Sequence, residues 1–191
     1  MGVLNEDDSM IANNTFERII NKIKTQDSRG IKSLFSQTVQ DTTSDLEENC
    51  VDLIQFMQGD IVSIYDAADG GMRVDCKTEK GKIVKTIVST FICETDLHKY
   101  YVAMKECTKD DFDQDNIGLL SIYIIKSEDW KEDCVYRGDG KWTPGIHIGK
   151  YKSDKWEIDR YKKTWRELLP KNERLVVNGA THVHWYDLYD R

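Results

Sequence analysis

The chain has 191 residues, of which 39% are hydrophobic and 32% charged, and its formal net charge is -7. That is enough for one domain, or a domain with an appendage, and too apolar and aromatic for a disordered chain. No stretch approaches the roughly 20 apolar residues that span a bilayer as a helix, and the acidic balance argues against nucleic acid as a partner, because phosphate binding calls for a basic face.

The opening GVLNEDDS is short, polar and acidic, and residues 1–8 read as a flexible tether of the kind left after processing. No secretory signal with a charged start and apolar middle is present within the 191 residues. From Ser9 to about Thr25 the pattern turns helical: Phe16, Ile19, Ile20 and Ile23 repeat at i, i+3, i+4 and i+7 and so share one stripe. Asp27 or Ser28 is placed to cap a second, short helix carrying Ile31, Leu34 and Phe35. A third is expected over 44–58 with Leu46, Cys50, Leu53, Ile54 and Met57 inward, and Gly59 suits its end because glycine adopts a left-handed backbone at little cost.

At Asp60 the period changes to that of strands. Segments 61–65, 72–78, 83–94, 98–108 and 119–126 are joined by short turns, which predicts an antiparallel meander. In the fourth, Tyr100, Val102 and Met104 alternate with Tyr101, Ala103 and Lys105, so the two sets face opposite ways. Helices followed by such a sheet describe an α+β domain with the helices on one sheet face.

Charge divides the remainder. Residues 1–75 carry -8 and residues 150–191 carry +3, and the two prolines, Pro144 and Pro170, fall near the edges of that last segment. The expected organisation is a domain over 9–149 and an extension over 150–191 holding a helix at 154–169 and a strand at 174–178. Trp156, Tyr161, Trp165, Trp185 and Tyr186 would leave a large apolar patch in water if the extension dangled, so it is expected to pack on the domain.

Five scattered cysteines without a C-x-x-C pair are poor material for a disulfide framework or a zinc site and are expected to be buried as small apolar groups. In KDDFDQDNIG, Asp111, Asp113 and Asp115 alternate as at the start of a calcium loop, but Asn116 and Ile122 stand where an EF-hand needs glycine and glutamate; an acidic turn is expected, with no metal or other cofactor. Asp139-Gly140 signals a tight turn that exposes Lys141 beside Trp142. Asp75, Glu94, Glu106 and His98 could in principle meet across strands, but the pattern does not assign their faces and no acid–base pair is visible in it. His182 and His184, two apart, would share a strand face in an aromatic tail, with Asp187 and Asp190 as further oxygen donors.

The segments IKSLFS (31–36), LLSIYIIK (119–126) and above all GDGKWTPGI (138–146) resemble a family of bacterial lipoprotein-type domains. The resemblance covers roughly residues 9–148 and implies the cone-shaped α+β fold of nuclear transport factor 2, here called cystatin-like or nuclear transport factor 2-like. It also implies an extracytoplasmic setting, membrane-tethered by a lipid anchor in the native precursor if a leader is removed, and cytoplasmic if Met1 is the native start. A shorter run, ERLVVNGATHVHWYDLYDR (173–191), is similar to the end of α/β-hydrolases, where His182 would stand for the triad histidine; no G-x-S-x-G elbow accompanies it.

These observations lead to the expectation of a noncatalytic module that binds a small apolar or aromatic ligand or a protein partner in a pocket enclosed by sheet and helices. The lining is expected from Tyr65, Tyr101, Tyr123, Trp130, Tyr136, Trp142 and His147. Two other readings stand beside it: a hydrolase-type enzyme using His182 or pocket acid and base groups, and an acidic inhibitor or immunity-type protein, suggested by the -8 of the first 75 residues.

Overall fold

A computed structural model describes residues 6–66, 72–129 and 145–149. Four helices come first: α1 (Glu6–Lys24), α2 (Ser28–Lys32), α3 (Gln37–Thr42) and α4 (Leu46–Phe56). Six strands follow: β1 (Ile61–Asp66), β2 (Met72–Glu79), β3 (Lys82–Thr95), β4 (Lys99–Asp110), β5 (Gly118–Lys126) and β6 (Ile146–Gly149). The α+β class and the order of the elements agree with the sequence pattern. The expected helix and strand at 154–169 and 174–178, the packing of 150–191, and Trp130, Tyr136, Trp142 and His182 lie outside the described residues.

Local chemistry explains the helix boundaries. Asp27 caps α2 by accepting a hydrogen bond from Gly30 N at 2.8 Å, and Ser36 Oγ accepts from Val39 N to open α3. Helix α3 is an addition to the sequence-based expectation; six residues carry too little periodicity to stand out, and the cap at Ser36 is its one local signal. Gly59, just past α4, has φ +87° as expected.

The strands form one antiparallel sheet in the order β1-β3-β4-β5-β6, with β2 also on β3. The meander holds from β2 onward. Strand β1 departs from it: it pairs with Phe91–Thr95, while β2 pairs with Lys82–Ser89. Because β4 occupies the other edge of β3, β1 and β2 lie end to end along one edge of that strand. At 14 residues, or about 46 Å of extended chain, β3 is long enough to seat both. The short strand β6 extends the other side of the sheet, pairing Ile124 with Ile146 and Tyr123 with His147.

Helices and sheet share one apolar core on one sheet face. The α1 stripe of Phe16, Ile19, Ile20 and Ile23 is buried against Ile87, Phe91 and Cys93 of β3 and Tyr100, Val102 and Met104 of β4. Phe16 stacks on Phe91 at 4.1 Å between centroids, the rings 7° from parallel. The α4 residues Leu46, Cys50, Leu53, Ile54 and Met57 are buried as the spacing predicts. The segment before α3 is stitched to β5 by Ser36 N donating to Leu119 O and Leu119 N to Leu34 O, each at 2.9 Å. That approach needs a glycine next door: a Cβ on Gly118, whose φ is +127°, would lie 2.9 Å from Ser36 N.

Of the cysteines, Cys50, Cys93 and Cys107 are buried as small apolar groups, but Cys76 is exposed on β2. Burial pushes the thiol of Cys50 up to about 12 and that of Cys93 up to about 11, leaving both protonated and unreactive at neutral pH.

Candidate functional site

Strand β4 ends in two different environments. Near its C-terminal end Glu106, opposite Ile87, faces the helices and is only 5% exposed. Thr15 Oγ1 of α1 donates to its Oε2 at 2.9 Å, and its Oε1 has no hydrogen-bond partner among the described residues. Asp8, one face-repeat earlier on α1 and 1% exposed, pairs with Lys85 of β3 through one oxygen and leaves the other unpartnered among the described residues. Ser89 Oγ, on the same face of β3, is likewise buried and unpartnered. The helical spacing of Asp8, Ala12 and Thr15 sets all these groups under α1. Desolvation pushes the Glu106 carboxyl up to about 7, against the smaller opposing effects of the Thr15 hydrogen bond and the Arg18 charge.

At the other end, Tyr100 is opposite Lys126, the last residue of β5. The Tyr100 hydroxyl donates to Phe56 O at 3.1 Å and accepts from Gln58 N at 2.9 Å, so it secures the end of α4 to the sheet. Beside it an open groove of about 370 Å³ is lined by Asp52, Gln55, Phe56, Gln58, Lys126 and Ile146. The spacing of Asp52, Gln55 and Phe56 puts them on one side of α4, turned away from the buried Cys50, Leu53 and Ile54.

Lys126 is held from behind. Its Nζ is 3.1 Å from His98 Nε2 and 5.9 Å from the Phe56 ring centre, and His98 Nδ1 is 2.9 Å from Glu128 Oε1. A ring carrying its hydrogen on Nδ1 satisfies both contacts, donating to Glu128 and accepting from the ammonium; the partners assign this tautomer. Glu128's own backbone amide, then His98 and Lys126, hold its carboxyl below the usual carboxylate range. The series carboxylate, imidazole, ammonium fixes the direction of the Lys126 head while leaving two of its three N–H donors for another acceptor.

The residues expected to line a pocket are placed as follows. Tyr65 lies on edge strand β1, 41% exposed, and its hydroxyl donates to Glu94 Oε1 at 2.7 Å. Tyr101 and Tyr123 lie on the sheet face opposite the helices, in a small cluster with Ala103 and Ile125. His147 joins that cluster, its ring 4.2 Å from the Tyr123 ring. The structure thus brings Tyr101, Tyr123 and His147 together and leaves Tyr65 apart.

The four groups considered for an acid–base pair across strands each have a different partner. Asp75 pairs with Arg73, Glu94 with Tyr65, Ser63 and Lys99, Glu106 with Thr15, and His98 with Glu128. In the acidic turn, Asp110 accepts from Phe112 N, Asp113 N and Asn116 Nδ2, and Asp111 accepts from Ile83 N. These carboxylates satisfy backbone and amide donors of the turn and, for Asp111, of the adjoining strand β3.

Fold and site together define an α+β domain in which helices cover one face of an open antiparallel sheet. The chain belongs to the family described as Domain of unknown function (DUF5104), which it matches over residues 18–127. The matched span includes Asp52, His98, Glu106 and Lys126, whereas Glu128 and Ile146 lie beyond it. Comparison with curated proteins finds no match.

Proposed function

We propose that this domain is a noncatalytic module that binds a small ligand in the groove between the end of α4 and the β5–β6 corner. One observation carries the reading: an aromatic and an aliphatic side chain, Phe56 and Ile146, line the same groove as a lysine whose ammonium is oriented by His98 and Glu128. The lining joins two apolar side chains to four polar ones, a more polar wall than most small-molecule sites have, and about 370 Å³ is at the small end of the range for such sites.

Binding is favoured over catalysis by where the perturbed acid sits. Active sites concentrate shifted titrating groups. Here Glu106 is six residues along β4 from Tyr100, about 20 Å from the groove end of the strand. A second reading, an enzyme using His98 as base, is supported by its 2.9 Å contact with Glu128; against it, the other ring nitrogen faces Lys126 rather than the groove.

The nuclear transport factor 2-like cone belongs to this reading. Register shifts at Ile61/Ser63, Lys85/Thr86 and Lys105/Glu106 support it, since such bulges bend a strand. The extracytoplasmic, tethered setting implied by the lipoprotein-type resemblance is proposed with it, and fractionation of cells expressing the native precursor tests that part. Among the described residues no helix is long and apolar enough to cross a membrane.

Titrating the protein with benzyl alcohol and indole while recording backbone amide resonances tests the site. Shifts are expected at Phe56, Gln58, Lys126 and Ile146. Shifts confined to the Tyr101–Tyr123 face, or to α1 and Glu106, would move the site elsewhere.

A further inference from the structure

We propose that the ligand of this groove is a zwitterion, a free α-amino acid with an apolar side chain; this rests on the groove being the binding site. Three features of the lining lead there. Lys126 supplies a cation with two unused N–H donors, aimed by the His98–Glu128 pair. Asp52, on α4, supplies an anion, and its carboxylate has no ion-pair or hydrogen-bond partner among the described residues. Phe56 and Ile146 supply apolar surface on the same groove.

The two charges share one groove without pairing with each other. No ion pair joins Asp52 to Lys126 among the described residues, so each charge stays open to a ligand. Held apart on a helix and a strand end, they present a dipole that a ligand of reversed polarity completes, its carboxylate on Lys126 and its ammonium on Asp52. Charge-assisted hydrogen bonds of this kind are stronger than neutral ones. A simple anion would meet Asp52, and a simple cation would meet Lys126, so each is opposed by one wall. Gln55 and Gln58 add amide donors and acceptors that serve either end of the ligand. The ligand's side chain then rests on Phe56 and Ile146, which selects apolar members of the class.

The test uses the full chain and four probes read by amide shifts at Phe56, Gln58 and Lys126: L-phenylalanine, N-acetyl-L-phenylalanine, L-phenylalaninamide and benzyl alcohol. Acetylation removes the cation, amidation removes the anion, and the alcohol has neither. L-Phenylalanine is expected to bind about tenfold more tightly than either masked form, the size of one charge-assisted contact. Asp52→Asn is expected to equalise L-phenylalanine and its N-acetyl form. Lys126→Met is expected to equalise L-phenylalanine and its amide, and the masked ligands carry the same comparison on the unaltered protein. Equal binding of all four probes in the groove overturns the zwitterion while leaving the groove as a site. Failure of every probe to shift groove resonances overturns both.

Discussion

The two ends of β4 bury charge by opposite rules. At Glu106 a carboxyl is enclosed beneath α1 with one hydroxyl donor, and burial raises its pKa to about 7. At the Lys126 end the charges stay partly wet and are arranged in a line, Glu128 to His98 to Lys126. The first arrangement weakens the folded state when ionised; the second costs little and keeps a cation oriented toward an open groove. The most strongly perturbed acid of the strand thus sits at the closed end, away from the open groove.

The largest effect is expected at the α1 contact that covers the Glu106 end. Phe16→Ala removes the ring stacked on Phe91 and should cost about 3–5 kcal/mol, read as a fall in the denaturant midpoint. A loss under about 1 kcal/mol would mean that α1 does not close this side of the core.

Glu106→Gln sharpens the contrast through pH. Below about pH 4.5 the carboxyl is protonated whether the chain is folded or unfolded, and it contributes nothing. Between 4.5 and about 7 the unfolded chain has lost the proton and the folded chain retains it, so stability falls as pH rises. Above about 7 the full penalty, roughly 3 kcal/mol, is present. Urea unfolding near the lower end of that window and above it, at about pH 5 and about pH 8, should therefore show a decline in the native protein that the Glu106→Gln variant lacks. The lowered carboxyls Asp27, Glu47, Glu94, Asp110 and Glu128 act in the opposite sense, below their usual range, and do not mask this window. Equal slopes for both proteins would show Glu106 to be hydrated.

The smallest effect belongs to the groove end. Tyr100→Phe deletes the hydroxyl between Phe56 O and Gln58 N and should cost about 1–2 kcal/mol, with amide shifts limited to the end of α4 and β5. If the shifts reached Glu106, the two ends would be coupled rather than independent.

Several of these features are legible from residue spacing. The stripe Phe16, Ile19, Ile20, Ile23 and the alternation of Tyr100, Val102, Met104 against Tyr101 and Ala103 both appear as expected, because a core-facing helix and a two-sided strand impose their periods on the apolar residues. Strand β6 has no such signature, since its four residues, Ile146–Gly149, carry almost no period. Nothing in the residue pattern marks Asp52, Gln55, Phe56 or Gln58 as site residues. Asp52 and Gln55 are ordinary outward positions of α4, Phe56 is a half-buried residue of its last turn and Gln58 follows it, until β5 is brought beside them.

Sequence alone therefore determined the longer helices and strands and their main inward stripes, though not α3, β6 or the exposure of Cys76, because period and burial follow from backbone geometry only where an element runs for several residues. Only the tertiary structure decided that Thr15 meets Glu106 across 91 positions of chain, that β1 and β2 share one edge of β3, and that Lys126 is backed by His98 and Glu128. Those meetings depend on strand register and on loops closing over long distances, and a shift of one residue would turn each side chain to the other face.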